Sequence, residues 1–299
     1  MLSILIPVYN YDISQLIEVL DKHVNFLNIN YEIIVGDDCS DNLELVAAYE
    51  LITSNSNYNY FKNAKNIGRI STRLELARRA KYDWLLFLDA DVLPKREDFV
   101  SQIISNCDTE YDLIFGGITY SSLSISKNNA LRFKYGIHRE VKSLEYRKKN
   151  PYDTIISQNF LAKKNVCLAV FQEIELNRYG LDIAFTYELK KNNYKVKHID
   201  NPTIHLGLED NSTFLKKSLD SVETTLFLAE SGIISRSHRP IQKKARLLFD
   251  LRATYLFMTM IRPFISLIKR NLLSGQPSLL FFDIFRLYHF IKIKRAKYS

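Results

Sequence analysis

The 299 residues suffice for one large domain with a well-filled core, or for one domain and a smaller appendage. Hydrophobic content of 46% and charged content of 25% are those of an ordinary globular chain. The net charge of +8 is unevenly placed: residues 235–299 carry 14 Lys and Arg against Asp250 and Asp283 alone, a net +12, whereas residues 1–234 hold 27 against 31 acidic residues, a net −4.

Cys39, Cys107 and Cys167 are widely spaced and form no CxxC pair, which excludes a disulfide framework or a zinc site built on cysteine and predicts a reduced compartment. The opening MLSILIPVYN lacks the basic region and cleavage motif of a secretory signal. No stretch approaches the roughly 18 uncharged apolar residues of a membrane span. The longest charge-free runs of the tail are 253–261 and 271–282. A cytoplasmic protein is expected.

In chain order, SILIPV (3–8) reads as a short buried strand. Ile13, Leu16, Ile17, Leu20, Val24 and Leu27 then recur at helical spacing behind Asp12 as N-cap. EIIVGDD (32–38) is a second buried strand, followed by a helix over about 41–54 and a third strand near Tyr58–Lys62. A helix from about Arg69 to Lys81, the strand WLLFL (84–88), a helix at about 96–106 and YDLIFGG (111–117) complete the series. Strands alternating with helices imply right-handed βαβ units and a mostly parallel sheet. Residues 127–165 are polar and basic and read as a helix with loops, and beyond about 215 the chain turns into aromatic and aliphatic helices interleaved with Arg and Lys.

Ligands of such sheets bind outside the carboxyl ends of the strands, where Asp37, Asp38, Asp89 and Asp91 all fall. On an extended chain, residues i and i+2 leave on one face, so Asp89 and Asp91 would share a locus. Two anions there call for a cation, and a hard divalent ion such as Mg2+ or Mn2+ completes its shell with phosphate oxygens and water. The alternative is a polar strand end before the Pro94 turn. Asp37 and Asp38 either accept from a base N–H or a ribose hydroxyl, or serve with Ser40 and Asp41 as the cap of the next helix. Asn66, Gly68, Arg69 and Arg73 put two guanidiniums on one face at a helix N-terminus, an arrangement suited to a diphosphate. Asp182 stands just ahead of a helix, as N-cap or as general base, and His205 follows a short strand.

SILIPVYN, EIIVGDDCSDN, NIGRISTR, WLLFLDADVLP and the block from Asp182 to His205 stand in the order and spacing of family 2 glycosyltransferases of the GT-A fold, which residues 1–215 resemble. The ending NPTIHLGLED resembles in particular bacterial members that build surface polysaccharides. The resemblance implies an α/β domain over 1–215 with a Rossmann-like, mostly parallel sheet, and a helical region over 216–299. It implies that Pro7, Tyr9, Asn10, Asp37 and Asp38 line a nucleotide pocket, and that Asp89 lies near the ribose or donor sugar. Asp91 and His205 would hold Mn2+ or Mg2+, and Asp182 would be the catalytic base. The reaction implied is an inverting transfer from a UDP-, GDP- or dTDP-linked sugar to a glycan or lipid-linked acceptor.

At the position before Asp182, where the family has Glu, this chain has Leu181. That departure keeps open a nucleotide-sugar-binding protein with a degenerate site. A nucleotidyltransferase would need a Gly- and Lys/Arg-rich loop after the first strand, and Val8–Asp12 offers none. The tail is too apolar for a nucleic-acid arm. Its pattern suits either an amphipathic surface on an anionic membrane, through residues 240–299, or a helical subdomain packed on the rest of the protein.

Overall fold

The computed structural model describes every residue except Phe26, Asn28, Ser54, Leu123, Ser124, Glu175, Asn177 and Ser299, and the side chain of Tyr298. The chain divides into two compact units, and the division does not fall at a single point. The first comprises Met1–Ser121, Glu140–Asn177 and Glu188–Gly207, the second Ser122–Arg139, Arg178–Tyr187 and Leu208–Ser299.

In the first unit, β1 (Leu2–Val8), β2 (Tyr31–Asp37), β3 (Tyr58–Lys62) and β4 (Trp84–Leu88) run parallel, in the spatial order β3-β2-β1-β4. The sheet continues through β8 (Asn159–Lys163), β6 (Leu113–Phe115) and β9 (Val196–His198), with β8 antiparallel to both of its neighbours. The sheet is therefore mostly parallel, as the alternating pattern predicts. β8 itself lies in the stretch that reads as helix and loops, because NFLAK holds only three consecutive apolar residues inside basic surroundings.

Both faces of the sheet are covered, which is why its strands are continuously apolar rather than alternating. Leu2, Ile4 and Ile6 of β1 join Leu16 and Leu20 of α1 (Ser14–Asn25) and Phe99 and Ile103 of α4 (Phe99–Ser105) in one core. On β4, Phe87 stacks on Phe160 at 4.9 Å and meets Phe171 of α7 (Lys164–Glu173) edge-on at 5.6 Å. Asp12 accepts from the Ser14 amide at the start of α1, as expected. The helix after β2 is α2 (Leu43–Ile52), and its cap is Asn42, which accepts from the amides of Glu44 and Leu45. Ser40 and Asp41, the predicted caps, are used elsewhere. The last position of the predicted helix, Ser54, lies outside the described residues.

A second, three-stranded sheet orders β5 (Val92–Pro94), β10 (Thr203–His205) and β7 (Ile118–Tyr120). Its register sets His205 opposite Val92.

The second unit is helical. α9 (Asn211–Glu230) carries Phe214 and Leu215 into a cluster with Leu131 of α5 (Ala130–Tyr135), Ile268 and Leu272 of α12 (Ile265–Leu272) and Phe282 of α13 (Leu279–Tyr298). Farther along, Val222 and Leu226 pack with Ala245 of α10 (Pro240–Asp250) and with Phe290 and Ile291. Asn211 ties this unit together by accepting from the Leu131 amide at 2.8 Å and donating to the Lys127 carbonyl at 2.9 Å.

Candidate functional site

The four parallel strands end on one edge of the first unit, which gathers residues 9–11, 38–41, 63–69 and 89–91. Pro7 pairs with Gly36 beyond the stretch where β1 meets β4, so its missing N–H breaks no ladder. Tyr9 follows with half its surface exposed. Asn10, at φ 47°, receives Ser40 Oγ as acceptor for its amide and binds the loop at Asp41–Asn42 through both ends of its side chain.

Asp37 is fully buried, and its oxygens are taken by the Ser40 amide and hydroxyl at 2.8 and 2.6 Å and by the Tyr60 hydroxyl at 3.0 Å. Asp38 accepts from the amides of Ile67 and Gly68 at 2.8 and 2.9 Å and from Asn63 at 3.2 Å. These two carboxylates thus shape the edge. Asp38 pins the loop carrying Asn66 to the end of β2, which fixes where α3 (Arg69–Arg79) begins. Gly68, at φ 87°, makes the turn into that helix without a side-chain cap.

Asp89 and Asp91 do not lie on an extended strand. They occupy the turn between β4 and β5, and their carboxylates part company. Asp89, buried, forms a 2.6 Å ion pair with Arg73, itself fully buried, and Arg73 also donates to the Ser157 hydroxyl at 2.9 Å and carbonyl at 2.6 Å. Arg73 therefore does not face a diphosphate, as its position on the helix suggests; it neutralises Asp89. Arg69 stands 3.5 Å from the other Asp89 oxygen and is half exposed.

Asp91 points the other way, with its side chain 26% exposed, and its Oδ2 lies 3.1 Å from His205 Nε2. Burial alone would raise the Asp91 carboxyl, but the hydrogen bond and charge of His205, with Arg69 nearby, outweigh it and hold the group below the usual carboxylate range. His205 is buried and packs edge-on against Tyr120 at 5.4 Å. The Tyr11 hydroxyl is pushed up by burial and then by the Asp91 charge.

Two contributors escaped the sequence reading. A Cβ on Gly207 would sit 2.3 Å from Asp91 Oδ2, so any larger residue there displaces this carboxylate as the chain after β10 passes it. The Leu206 amide also donates to the Asp91 carbonyl at 2.8 Å. The glycine stands two residues after the histidine in HLG, a signal that a search for titratable groups passes over. Ser157 is the other, and its only mark in sequence is proximity to β8.

One carboxylate and one imidazole converging at 3.1 Å suit a divalent cation that keeps further positions for phosphate oxygens and water. Asp89 is already neutralised and does not belong to that donor set. Among the described residues no group of three or more His, Cys, Asp or Glu converges. Asp182 is the first residue of α8 (Asp182–Lys191), within the second unit, and is partly exposed, whereas Leu181 before it is 3% exposed.

Residues 3–222 match the family model described as glycosyl transferase family 2. A Haemophilus influenzae protein named as an uncharacterised glycosyltransferase is 34% identical over 112 residues, which span 35% of this chain and 34% of that protein. The fold matches that of a mannosyltransferase from Pyrobaculum calidifontis, solved in complex with GDP-Man and Mn2+, at a TM-score of 0.51 and 11% identity, over 99% of this chain and 87% of that one.

Proposed function

The chain belongs to glycosyl transferase family 2, and we propose that it is a metal-dependent, inverting enzyme moving a sugar from a nucleotide-sugar donor to a hydroxyl of a glycan or lipid-linked acceptor. Bacterial surface polysaccharide is the product class this reading favours. The observation that carries it is the Asp91–His205 pair beside Arg69 at the N-terminus of α3, at the carboxyl ends of the parallel strands. The relative solved with GDP-Man and Mn2+ supports the same donor chemistry.

Asp91 and His205 would hold Mn2+ or Mg2+, which supplies charge to the leaving diphosphate. Arg69 and the α3 amides offer the same phosphates a guanidinium and an N-terminal dipole. Tyr9 presents an exposed ring for the base. Asp182 takes the proton of the acceptor hydroxyl, which attacks the anomeric carbon as the bond to the nucleoside diphosphate breaks. No covalent enzyme intermediate is required.

The C-terminal helices would hold the protein on an anionic membrane surface. Leu247, Leu251, Tyr255, Leu256, Phe264 and Leu267 are each more than half exposed, and Arg252, Arg262 and Arg270 lie among them in sequence. Among the described residues no single helix is long and apolar enough to cross a membrane.

A thermal-shift screen of UDP-, GDP- and dTDP-sugars with and without Mn2+ tests the donor reading, with stabilisation by one nucleotide class and reinforcement by Mn2+ expected. Release of nucleoside diphosphate by wild type but not by Asp182→Asn tests the base. Tight donor binding with no release from wild type would favour the second reading, a binding protein, for which the buried Leu181 is the supporting observation.

A further inference from the structure

The second unit contains a cleft of about 180 Å³ that no step above uses. It is lined by Arg139, Arg239, Lys244 and Arg286, with Tyr135 and Asp283 among the remaining walls. Asp283 is committed to Arg139 at 2.8 Å. Among the described residues, Arg239, Lys244 and Arg286 take part in no ion pair, so three cations converge on one small volume with no carboxylate bound to them. The Nε of Arg286 is buried and has no hydrogen-bond partner. α10 opens on the cleft with Pro240 and Ile241, so the positive end of its dipole adds to the same field.

Like charges packed this way repel and cost stability unless an anion joins them. The Arg239 guanidinium is held below its ordinary value by burial and then by Arg286, while Asp182 acts in the opposite direction. Asp182 is thus within electrostatic reach of the cleft, inside the same unit.

The surroundings are apolar. Along α10, Leu247 and Leu251 follow Lys244 by three and seven residues, which places them on one helix face, and both are more than half exposed. Cations at the N-terminal end of the exposed apolar face of α10 fit a molecule that is anionic at its head and hydrocarbon along its tail.

We propose that this cleft binds the phosphate or diphosphate of a lipid-linked acceptor, with Arg239, Lys244 and Arg286 as its ligands and the exposed Leu247 and Leu251 alongside its chain. Its role in transfer rests on the glycosyltransferase reading; the binding itself does not. The phosphate would be held in the unit that carries Asp182, and the sugar hydroxyl attached through it would be presented to that base.

Farnesyl diphosphate is a soluble probe of this chemistry. Titration calorimetry on the full chain in EDTA compares it with inorganic pyrophosphate and with farnesol. Farnesyl diphosphate is expected to bind more tightly than either, and to lose about ten-fold or more in Lys244→Glu and in Arg286→Gln. Lys244 is exposed, so its variant carries the test if Arg286→Gln fails to fold. Equal binding of farnesyl diphosphate to wild type and Lys244→Glu overturns the site. Pyrophosphate binding as tightly as the lipid overturns the lipid assignment, and farnesol doing so overturns the role of the cations. UDP and GDP binding in Mn2+, measured on the same proteins, keeps the two readings apart. Loss of nucleotide binding with farnesyl diphosphate retained breaks the transferase reading alone, and the converse breaks the cleft alone.

Discussion

The two units handle charge and apolar surface in opposite ways. In the first, the strand-end edge pairs its own charges: Arg73 neutralises Asp89, Asp38 accepts from backbone amides, and His205 meets Asp91, with Asp89 Oδ2 and His205 Nδ1 left buried without a hydrogen bond. Most of its apolar residues are packed on both faces of the sheet, Leu43 and Leu51 being the main exposed ones. In the second, three cations share a cleft without an ion pair among the described residues, and a run of large apolar side chains from Leu247 to Phe281 stands in solvent. A surface satisfied from within is built to hold its own shape; one left unsatisfied is built to be completed from outside. Within the first unit, Asp91 and Arg69 keep partly exposed side chains beside these pairs, and they are where the donor is expected.

The comparison breaks most visibly at Arg73. Arg73→Gln leaves Asp89 buried with its principal counter-ion gone, and a loss of about 3–5 kcal/mol is expected in urea unfolding. A loss under about 1 kcal/mol would mean that the pair is dispensable. Phe264→Asp combined with Leu267→Asp should act in the reverse sense. Sedimentation with anionic liposomes is expected to weaken roughly 100-fold, since each exposed side chain contributes about 1.5–3 kcal/mol on burial, with unfolding unchanged. A variant that unfolds more easily but binds liposomes as before would mean that these side chains pack within the protein.

A smaller effect is expected from pH. His198 is buried, with its ring nitrogens 2.9 Å from the Pro151 carbonyl and 3.4 Å from Arg147, and burial lowers its pKa to about 4, the Arg147 charge adding to the shift. The unfolded chain gains this proton near pH 6.5 and the folded one only near 4. Its contribution to stability is therefore full above 6.5, lost as pH falls between those values, and level below, by on the order of 2–3 kcal/mol. His198→Gln should flatten that part of the unfolding profile. Smallest is Gly207→Ala, whose methyl would push Asp91 aside. Transfer should fall about ten-fold, less than the roughly 100-fold that a full ångström of misplacement can cost, because the carboxylate side chain can shift.

Much of the first unit is legible in the sequence because its strands are short apolar runs between helix signals. β3 and β4 occupy the predicted residues, and the strand-end acids lie on one edge. What the sequence hides is direction. Asp89 and Asp91 read as a same-face pair only if the chain is extended, and the turn after Leu88 sends one to Arg73 and the other to His205. Arg73 reads as surface because four-residue spacing from Arg69 does not reveal that α3 presses that face against Ser157. β8 is hidden by its lysines, and Gly207 matters only once β10 has brought it to Asp91. In the second unit the charge asymmetry is plain from composition, yet the convergence of Arg139, Arg239 and Arg286 is not, since more than 140 residues separate the first from the last.

The central claim is that Asp91, and not Asp89, is the carboxylate offered to a metal–diphosphate group. Titration calorimetry of UDP and GDP with and without Mn2+, on wild type and Asp91→Asn, tests it most directly. Mn2+ is expected to strengthen nucleoside diphosphate binding to wild type by about 100-fold, and Asp91→Asn to abolish that gain while unfolding at the same urea concentration. An Asp91→Asn protein that keeps the full Mn2+ effect would contradict the account.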